Sequence, residues 1–258
     1  MTVLILGGTA EARELAAALD AAGVPVISSL AGRVARPRLP VGEVRVGGFG
    51  GPTALARWLE EHAIPAVVDA THPFAERISA SAAAACASAQ VPLLRLERAG
   101  WTASPGDDWH WVENLPEAAT ALGPLGASRV LLTTGRQGLA AFAHDDTRWY
   151  LIRCVDPPLV ELPAHHEILL GRGPYALDGE LALIDAHRID VVVTKDSGGP
   201  LTAAKLQAAR ARALPVIVVR RLRRQDVPTV RTVAEAASWA THSAHVEVDS
   251  RGPRCAHT

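Results

Sequence analysis

The sequence has little of what marks a secreted, metal-binding or membrane-spanning protein. Its three cysteines, Cys86, Cys154 and Cys255, lie far apart and form no CxxC pair, so neither a disulfide framework nor a zinc site is predicted. The first apolar run ends after about five residues, and no basic segment precedes it, which argues against a signal peptide or membrane span. We therefore expect a soluble cytoplasmic protein with no membrane partner.

The net charge is close to zero, and lysines are few. The formal charge is −1 at pH 7, so no overall field favours nucleic acid, and we expect no nucleic-acid partner. Lys195 and Lys205 are the two lysines, and all other basic residues are arginines. This bias reflects either genomic base composition or a use for guanidinium groups, which bind carboxylates and phosphates through paired hydrogen bonds. HExxH, carboxylate metal motifs and the spacing of a catalytic triad are absent, and we predict no metal.

Short apolar runs alternate with alanine-rich helical stretches through the first half. This rhythm predicts an α/β fold with a mainly parallel sheet covered on both faces by helices. The predicted strands are Val3–Leu6, Val26–Ser29, Val44–Val46, Ala66–Asp69 and Leu93–Leu96. The predicted helices are Ala10–Ala22, Thr53–His62 and Ala75–Ala89.

The same rhythm restarts after a stretch rich in proline, glycine and tryptophan, residues 101–126, which has the composition of a connector. We therefore predict two Rossmann-like halves with a cofactor and substrate cleft between them: residues 1–100, residues 101–242, and a tail at 243–258. Strands are expected at Arg129–Thr133, Trp149–Val155, Glu167–Leu170, Val191–Thr194 and Val216–Val219. Helices are expected at Leu139–Ala143, Ala176–His187, Leu201–Ala213 and Val233–Thr241.

The first predicted strand runs into a glycine turn, "LILGGTAEAR". In a dinucleotide fold such a turn leads into the first helix, and the N-terminus of that helix binds the pyrophosphate. Gly7 and Gly8 permit a tight turn, and Thr9 can cap the helix and donate its hydroxyl. The fingerprint is degenerate, because Thr9 and Ala12 stand where glycines are usual, and an ordinary strand–helix connection is the alternative.

The end of the second strand indicates which cofactor would bind. NAD sites place an acidic residue about 20 residues after the glycines. Here "VISSLAGR" offers Ser28, Ser29 and Arg33, which suit a 2′-phosphate and predict NADP(H); a solvent-facing polar loop is the alternative. Gly47, Gly48 and Phe49 in "VGGFGG" offer a further cofactor contact or, equally, punctuation before a helix.

Further polar residues follow other predicted strands, where ligands collect in open α/β sheets. "DATHPFA" places Thr71 and His72 there, and His72 could donate a hydrogen bond or act as an acid, or simply cap a strand. In the second half, "VVTKDSGG" provides Lys195, Asp196, Ser197 and Gly198, with a solvated ion-paired loop as the alternative. "LLTTGR" offers a similar strand end at Thr134, Gly135 and Arg136.

Together, "LILGGTAEARELA", "DATHPFA", "LLTTGR" and "VVTKDSGG", in this order and spacing, resemble the precorrin-6A reductase family of cobalamin biosynthesis. The resemblance implies NADPH-dependent reduction of one double bond of the precorrin-6A macrocycle. It also implies a polycarboxylate tetrapyrrole substrate and transient contacts with neighbouring pathway enzymes. Arg13, Arg136 and Lys195 would grip substrate carboxylates, His72 would lie near the nicotinamide, and Asp196 would donate a proton or orient Lys195. Another NADPH-dependent reductase and a non-catalytic NADP(H) sensor remain alternatives.

Overall fold

The computed structural model describes residues 1–32 and 37–250, except for the side chains of residues 245–250. The chain forms two compact units. One unit contains Met1–Arg98 together with the segment that begins at Arg223, and the other contains Ala99–Leu222. The chain therefore leaves the first unit, completes the second, and returns.

The first unit is built on a six-stranded parallel sheet with the order β12-β5-β4-β1-β2-β3. This is the doubly wound 3-2-1-4-5-6 order, in which the strand order reverses between β1 and β4. The sixth position is filled by a strand near the end of the chain. The strands are β1 (Val3–Leu6), β2 (Val26–Leu30), β3 (Glu43–Val46), β4 (Val67–Asp69), β5 (Leu93–Leu96) and β12 (Thr229–Val230).

Helices cover both faces of this sheet. The strand period of two sends Val3 and Ile5 of β1 to one core and Leu4 and Leu6 to the other. The first core is closed by α1 and α7, and the second by α2 and α3. The helices are α1 (Ala10–Ala21), α2 (Pro52–Glu61), α3 (Glu76–Ala89) and α7 (Val233–Ser250).

The second unit repeats the layout. Its parallel sheet has the order β6-β11-β10-β7-β8-β9, so β7 and β10 occupy the places that β1 and β4 hold in the first. The strands are β6 (Asp108–Val112), β7 (Arg129–Leu132), β8 (Trp149–Cys154), β9 (His165–Leu170), β10 (Val191–Lys195) and β11 (Pro215–Val219). The helices are α4 (Leu115–Ala121), α5 (Leu177–His187) and α6 (Ala204–Ala211), with 3-10 turns at Leu139–Phe142 and Pro200–Thr202.

The predicted α/β class with two parallel Rossmann-like sheets is confirmed, but three details were wrong. The stretch 101–126 is no mere connector, because it contains β6 and α4. Residues 223–242 belong to the first sheet and not to a continuous second half, because β12 pairs with β5 and α7 packs on α1. The expected tail is helical as far as Ser250, and residues 251–258 lie outside the described residues.

The described residues lack two features. None of their helices combines the length and the apolar composition that crossing a bilayer requires. Nor do they contain a cluster of three or more His, Cys, Asp or Glu side chains that could hold a metal ion. In open α/β sheets ligands bind at the carboxyl ends of the parallel strands.

Candidate functional site

The glycine turn lies at the carboxyl end of β1, beside the point where the strand order reverses. Gly8 has φ +112°, a conformation that L side chains rarely adopt, and a Cβ there would meet nothing within 4 Å. Gly7 packs so closely on α1 that its Cβ would lie 3.5 Å from that of Ala12. Ala12 thus replaces the third glycine of the usual fingerprint without blocking helix–strand packing.

Thr9 is the N-cap of α1, as predicted. Its Oγ1 accepts a hydrogen bond from the Ala12 backbone N–H at 3.1 Å and donates to the Ala70 carbonyl at 2.8 Å. The hydroxyl proton is therefore used inside the protein. Through this hydrogen bond Thr9 ties the glycine turn to the end of β4.

An open hollow lies against the turn. One lining residue, Ser28, is 1% exposed, and its Oγ makes no hydrogen bond within the described part of the chain. Because a buried hydroxyl without a partner costs free energy, this hydroxyl is suited to receive a ligand group. Two arginines give the hollow the charge that a phosphate requires. It is lined by Gly7, Gly8, Ala12, Arg13, Ser28, Leu30, Arg38 and Pro40.

Of the two serines predicted to bind the cofactor in this region, only one lines the hollow. Ser28 lines the hollow, whereas its neighbour Ser29 points to the opposite face of β2, where its Oγ accepts from Arg45 Nη1 at 3.4 Å. Arg13, predicted as a substrate residue, also lines the hollow, and its Nη1 donates to the Thr9 carbonyl at 3.0 Å. Arg33 lies outside the described residues.

The "VGGFGG" segment has its own internal contacts. The guanidinium of Arg45 donates to the carbonyls of Gly47 and Gly48 at 2.7 and 2.8 Å, and it covers the ring of Phe49 at 3.7 Å. Phe49 also packs edge-on against Trp58. These contacts give the three predicted residues a role in shaping the loop after β3.

The end of β4 carries a buried carboxylate that the sequence analysis did not single out. Asp69 Oδ1 accepts from both the backbone N–H and the hydroxyl of Thr71, at 3.1 and 2.6 Å. The Thr71 hydroxyl is thus committed to Asp69 and lies 3.3 Å from Ser79 Oγ. Thr71 fixes the turn that follows β4.

His72 is half-buried in that turn. Its Nδ1 accepts from the Phe74 backbone N–H at 3.2 Å, which leaves the ring proton on Nε2 in the neutral form. Its carbonyl accepts from Arg224 Nη2 at 2.6 Å. The predicted catalytic histidine therefore lies at the carboxyl edge of the first sheet, in the same unit as the glycine turn.

In the second unit, the loop after β7 does not repeat the glycine turn of the first unit. Thr134 and Gly135 lead into a 3-10 turn of four residues, Leu139–Phe142, and not into an α-helix. Thr134 Oγ1 is buried without a hydrogen-bond partner among the described residues. Arg136 Nη2 lies 3.8 Å from Asp156 Oδ2. The loop offers polar groups, but it lacks a helix dipole for a pyrophosphate.

The end of β10 faces this loop. Lys195 Nζ donates to the Gln137 carbonyl at 3.4 Å, which brings Lys195 to the same edge as Arg136. Asp196 is buried; its Oδ1 accepts from the Trp101 backbone N–H at 2.9 Å, and its Oδ2 lies 3.2 Å from Arg221 Nε. Both oxygens of Asp196 thus face donors.

Ser197 and Gly198 complete that strand end. Ser197 Oγ lies 3.4 Å from Thr202 Oγ1. A Cβ at Gly198, whose φ is +63°, would overlap the carbonyl oxygen of Ala99. Gly198 therefore allows close packing on the chain that enters the second unit.

Sequence reasoning missed four arginine or aspartate side chains of the first unit: Arg38 in the hollow, and Asp69, Arg95 and Arg224 at the ends of β4 and β5. Arg38 had a signal, since "GRVARPRLP" holds three arginines after β2. No sequence signal points to Arg224, because the residues around it do not show that this part of the chain returns to the first sheet.

A family model described as "Precorrin-6x reductase CbiJ/CobK" matches residues 2–241. The match spans nearly all of the chain, including both units and the returning segment. It therefore covers every predicted site residue.

Individual relatives agree with the family match. A precorrin-6A reductase of Rhodococcus erythropolis is 53% identical over 242 residues, covering 92% of this chain and 96% of the relative. A cobalt-precorrin-6A reductase of Priestia megaterium is 31% identical over 232 residues, covering 85% and 90%. The solved structure titled "CobK precorrin-6A reductase" has a TM-score of 0.89 at 39% identity and covers 94% of this chain and 97% of that chain.

Proposed function

The chain belongs to the precorrin-6x reductase family, and from this membership we propose that it reduces precorrin-6A to precorrin-6B with NADPH as the hydride donor. Membership makes it an oxidoreductase acting on a CH–CH group of a small tetrapyrrole. The single observation that carries the cofactor part is the hollow at the glycine turn, with its partnerless buried Ser28 hydroxyl.

The residues that line the hollow support binding of a phosphorylated dinucleotide. Backbone N–H groups at Gly8 and at the start of α1 suit a pyrophosphate, and Arg13 adds a positive charge beside them. Ser28 and Arg38 provide a hydroxyl and a guanidinium, which suit a 2′-phosphate. The described residues that line the hollow include no acidic side chain that would repel this phosphate. We therefore assign Arg13 to the cofactor and not to the substrate.

When bound, NADPH supplies a hydride to one carbon of a ring double bond, while a proton is added to the neighbouring carbon. The protein must then hold both reactants and deliver or admit that proton. We propose that a solvent water supplies the proton and that His72 Nε2–H donates a hydrogen bond to that water, stabilising the hydroxide left behind, because Nε2 carries the ring hydrogen while Nδ1 accepts from Phe74. In this proposal Arg136 and Lys195 bind acetate or propionate carboxylates of the substrate. Asp196 holds the loop after β10 in place through Trp101 and Arg221.

The proposal also includes a setting for the enzyme. We infer that the enzyme works in the cytoplasm and exchanges its substrate and product with neighbouring enzymes through transient contacts. The support is the biosynthetic character of the family.

The test combines binding with turnover. Calorimetry with NADPH should show saturable binding, and addition of precorrin-6A should oxidise NADPH in equal amount while the pigment spectrum changes. NADH should support a rate at least about tenfold lower at the same concentration, a discrimination of ~1.4 kcal/mol. Absence of NADPH binding, or binding without pigment reduction, would overturn the proposal.

A further inference from the structure

A network of buried charges lies at the carboxyl ends of β4 and β5. Asp69 Oδ2 is 3.8 Å from Arg95 Nε and 4.0 Å from Arg224 Nη1. Glu97 Oε2 lies 3.5 Å from the same Nη1 atom. Buried ions are costly unless they are paired, so these four side chains depend on one another.

Arg224 comes from the returning segment and not from the strands it contacts. Its side chain is 6% exposed, and its Nη2 donates to the His72 carbonyl at 2.6 Å while Nη1 faces the two carboxylates. Burial lowers the pKa of Arg224, and the charges of Asp69 and Glu97 act in the opposite direction. One planar guanidinium thus joins the turn after β4 to two acidic side chains.

The turn that Arg224 reaches is fixed on its other sides too. The carbonyl of Ala70 accepts from Thr9 Oγ1, which ties this turn to the glycine turn after β1. Asp69 Oδ1 holds the backbone and hydroxyl of Thr71. The His72 carbonyl accepts from the Ala75 N–H at 2.8 Å as well as from Arg224. Arg224 is the contribution to this turn that comes from the distant end of the chain.

We propose that Arg224 is a positioning residue, which holds the His72 backbone, and through it the imidazole, in the orientation needed for reduction. The inference rests on the proposed function, because His72 is the proton-handling group there. A guanidinium is required because a lysine ammonium cannot present two coplanar N–H groups in opposite directions. The other interpretation is that Arg224 only stabilises the first unit.

Substitution of Arg224, compared with substitution of the neighbouring Arg223, separates these interpretations. R224A should lower kcat by about tenfold to a hundredfold, while the NADPH Kd changes less than about threefold. Added guanidinium ion should restore part of the lost kcat, because it can refill the space between Asp69 and the His72 carbonyl. R223A is the control, since Arg223 is the adjacent exposed arginine, and it should keep the wild-type kcat.

A second readout does not depend on turnover. In protein labelled with ¹⁵N-histidine, the ring signals of His72, identified with H72Q, should shift in R224A and stay unchanged in R223A. If R224A does not fold, R224K carries the same test, because it keeps a charge but loses the planar fork. The inference is overturned if a folded Arg224 variant keeps the wild-type kcat and unshifted His72 signals. A wild-type chain without NADPH-dependent reduction would contradict the proposed function instead.

Discussion

Lys205 shows how a single buried charge can matter outside the candidate site. It is 3% exposed; its Nζ donates to the Thr202 carbonyl at 2.6 Å and lies 4.6 Å from the centre of the Trp101 ring. Burial and the neighbouring Arg153 lower its pKa to about 7, while Glu180 acts in the opposite direction. The environment of Lys205 therefore favours a neutral amine.

The lowered pKa predicts a pH-dependent stability. Between about 7 and 10.5 the unfolded chain carries a proton on Lys205 that the folded chain lacks, so this group makes folding more favourable as pH rises. K205M removes this dependence. The free energy of unfolding of K205M minus that of wild type should therefore be larger at pH 6 than at pH 9. It should fall by up to about 1.4 kcal/mol for each pH unit between about 7 and 9.

Urea unfolding of wild type and K205M at several pH values measures that difference. Q207M, an exposed and non-titrating change on the same helix, should differ from wild type by the same amount at every pH. A flat K205M difference would show that Lys205 titrates alike in both states.

Arg38 decides cofactor preference if the hollow binds the 2′-phosphate. R38A should raise the Kd for NADPH about tenfold or more, ~1.4 kcal/mol, and leave the weaker NADH binding nearly unchanged. Calorimetry with both cofactors provides the measurement, and R57A, an exposed arginine on α2, serves as the matched control. Equal loss of both cofactors in R38A would assign the arginine to the pyrophosphate or to folding.

At the scale of one element, the loop after β10 depends on Gly198. A Cβ there would overlap the Ala99 carbonyl oxygen and lie 2.5 Å from Arg221 Nη2, and φ is +63°. G198A should therefore cost about 3 kcal/mol or more in urea unfolding. Gly126 has φ +64° but nothing within 4 Å of its Cβ, so G126A should cost only the backbone term, about 1 kcal/mol. Equal losses would mean that the loop relaxes around the added methyl group.

Elements were predictable from the sequence where burial is complete. The strands β1, β7 and β10 each contain a continuous apolar run that is buried, so their positions follow from composition alone. The edge strand β6 reads "DWHWV" and is only partly buried, so it lacks such a run. The two-residue β12 is too short to leave a pattern.

The site followed the same division. The glycine turn and His72 were predictable because they come soon after recognisable strands, and Ser28 because it lies within one. Ser29 was expected beside Ser28, but the alternation of side chains along β2 separates them. Partners from distant parts of the chain, such as Arg224 for His72, could not be predicted without the topology.

At the scale of the whole molecule, the chain order interrupts one unit with another. The first unit needs the residues after Arg223 for β12 and for α7, whose Ala236 and Ala240 are fully buried against its core. Residues 1–98 alone would leave that core open. We expect this fragment to be insoluble or unfolded, because an uncovered sheet face exposes apolar surface to water.

The complementary experiment removes the second unit. Glu97 Oε2 and Arg224 Nη1 are 3.5 Å apart, which places the two backbones within side-chain reach of each other, so a flexible Gly-Ser linker of several residues can join residue 98 to residue 223. The joined protein should unfold cooperatively in urea and bind NADPH with a Kd within about threefold of the full chain, because the hollow lies entirely in this unit. It should not reduce precorrin-6A, since Arg136 and Lys195 are missing. A folded joined protein that fails to bind NADPH would show that cofactor binding requires residues 99–222.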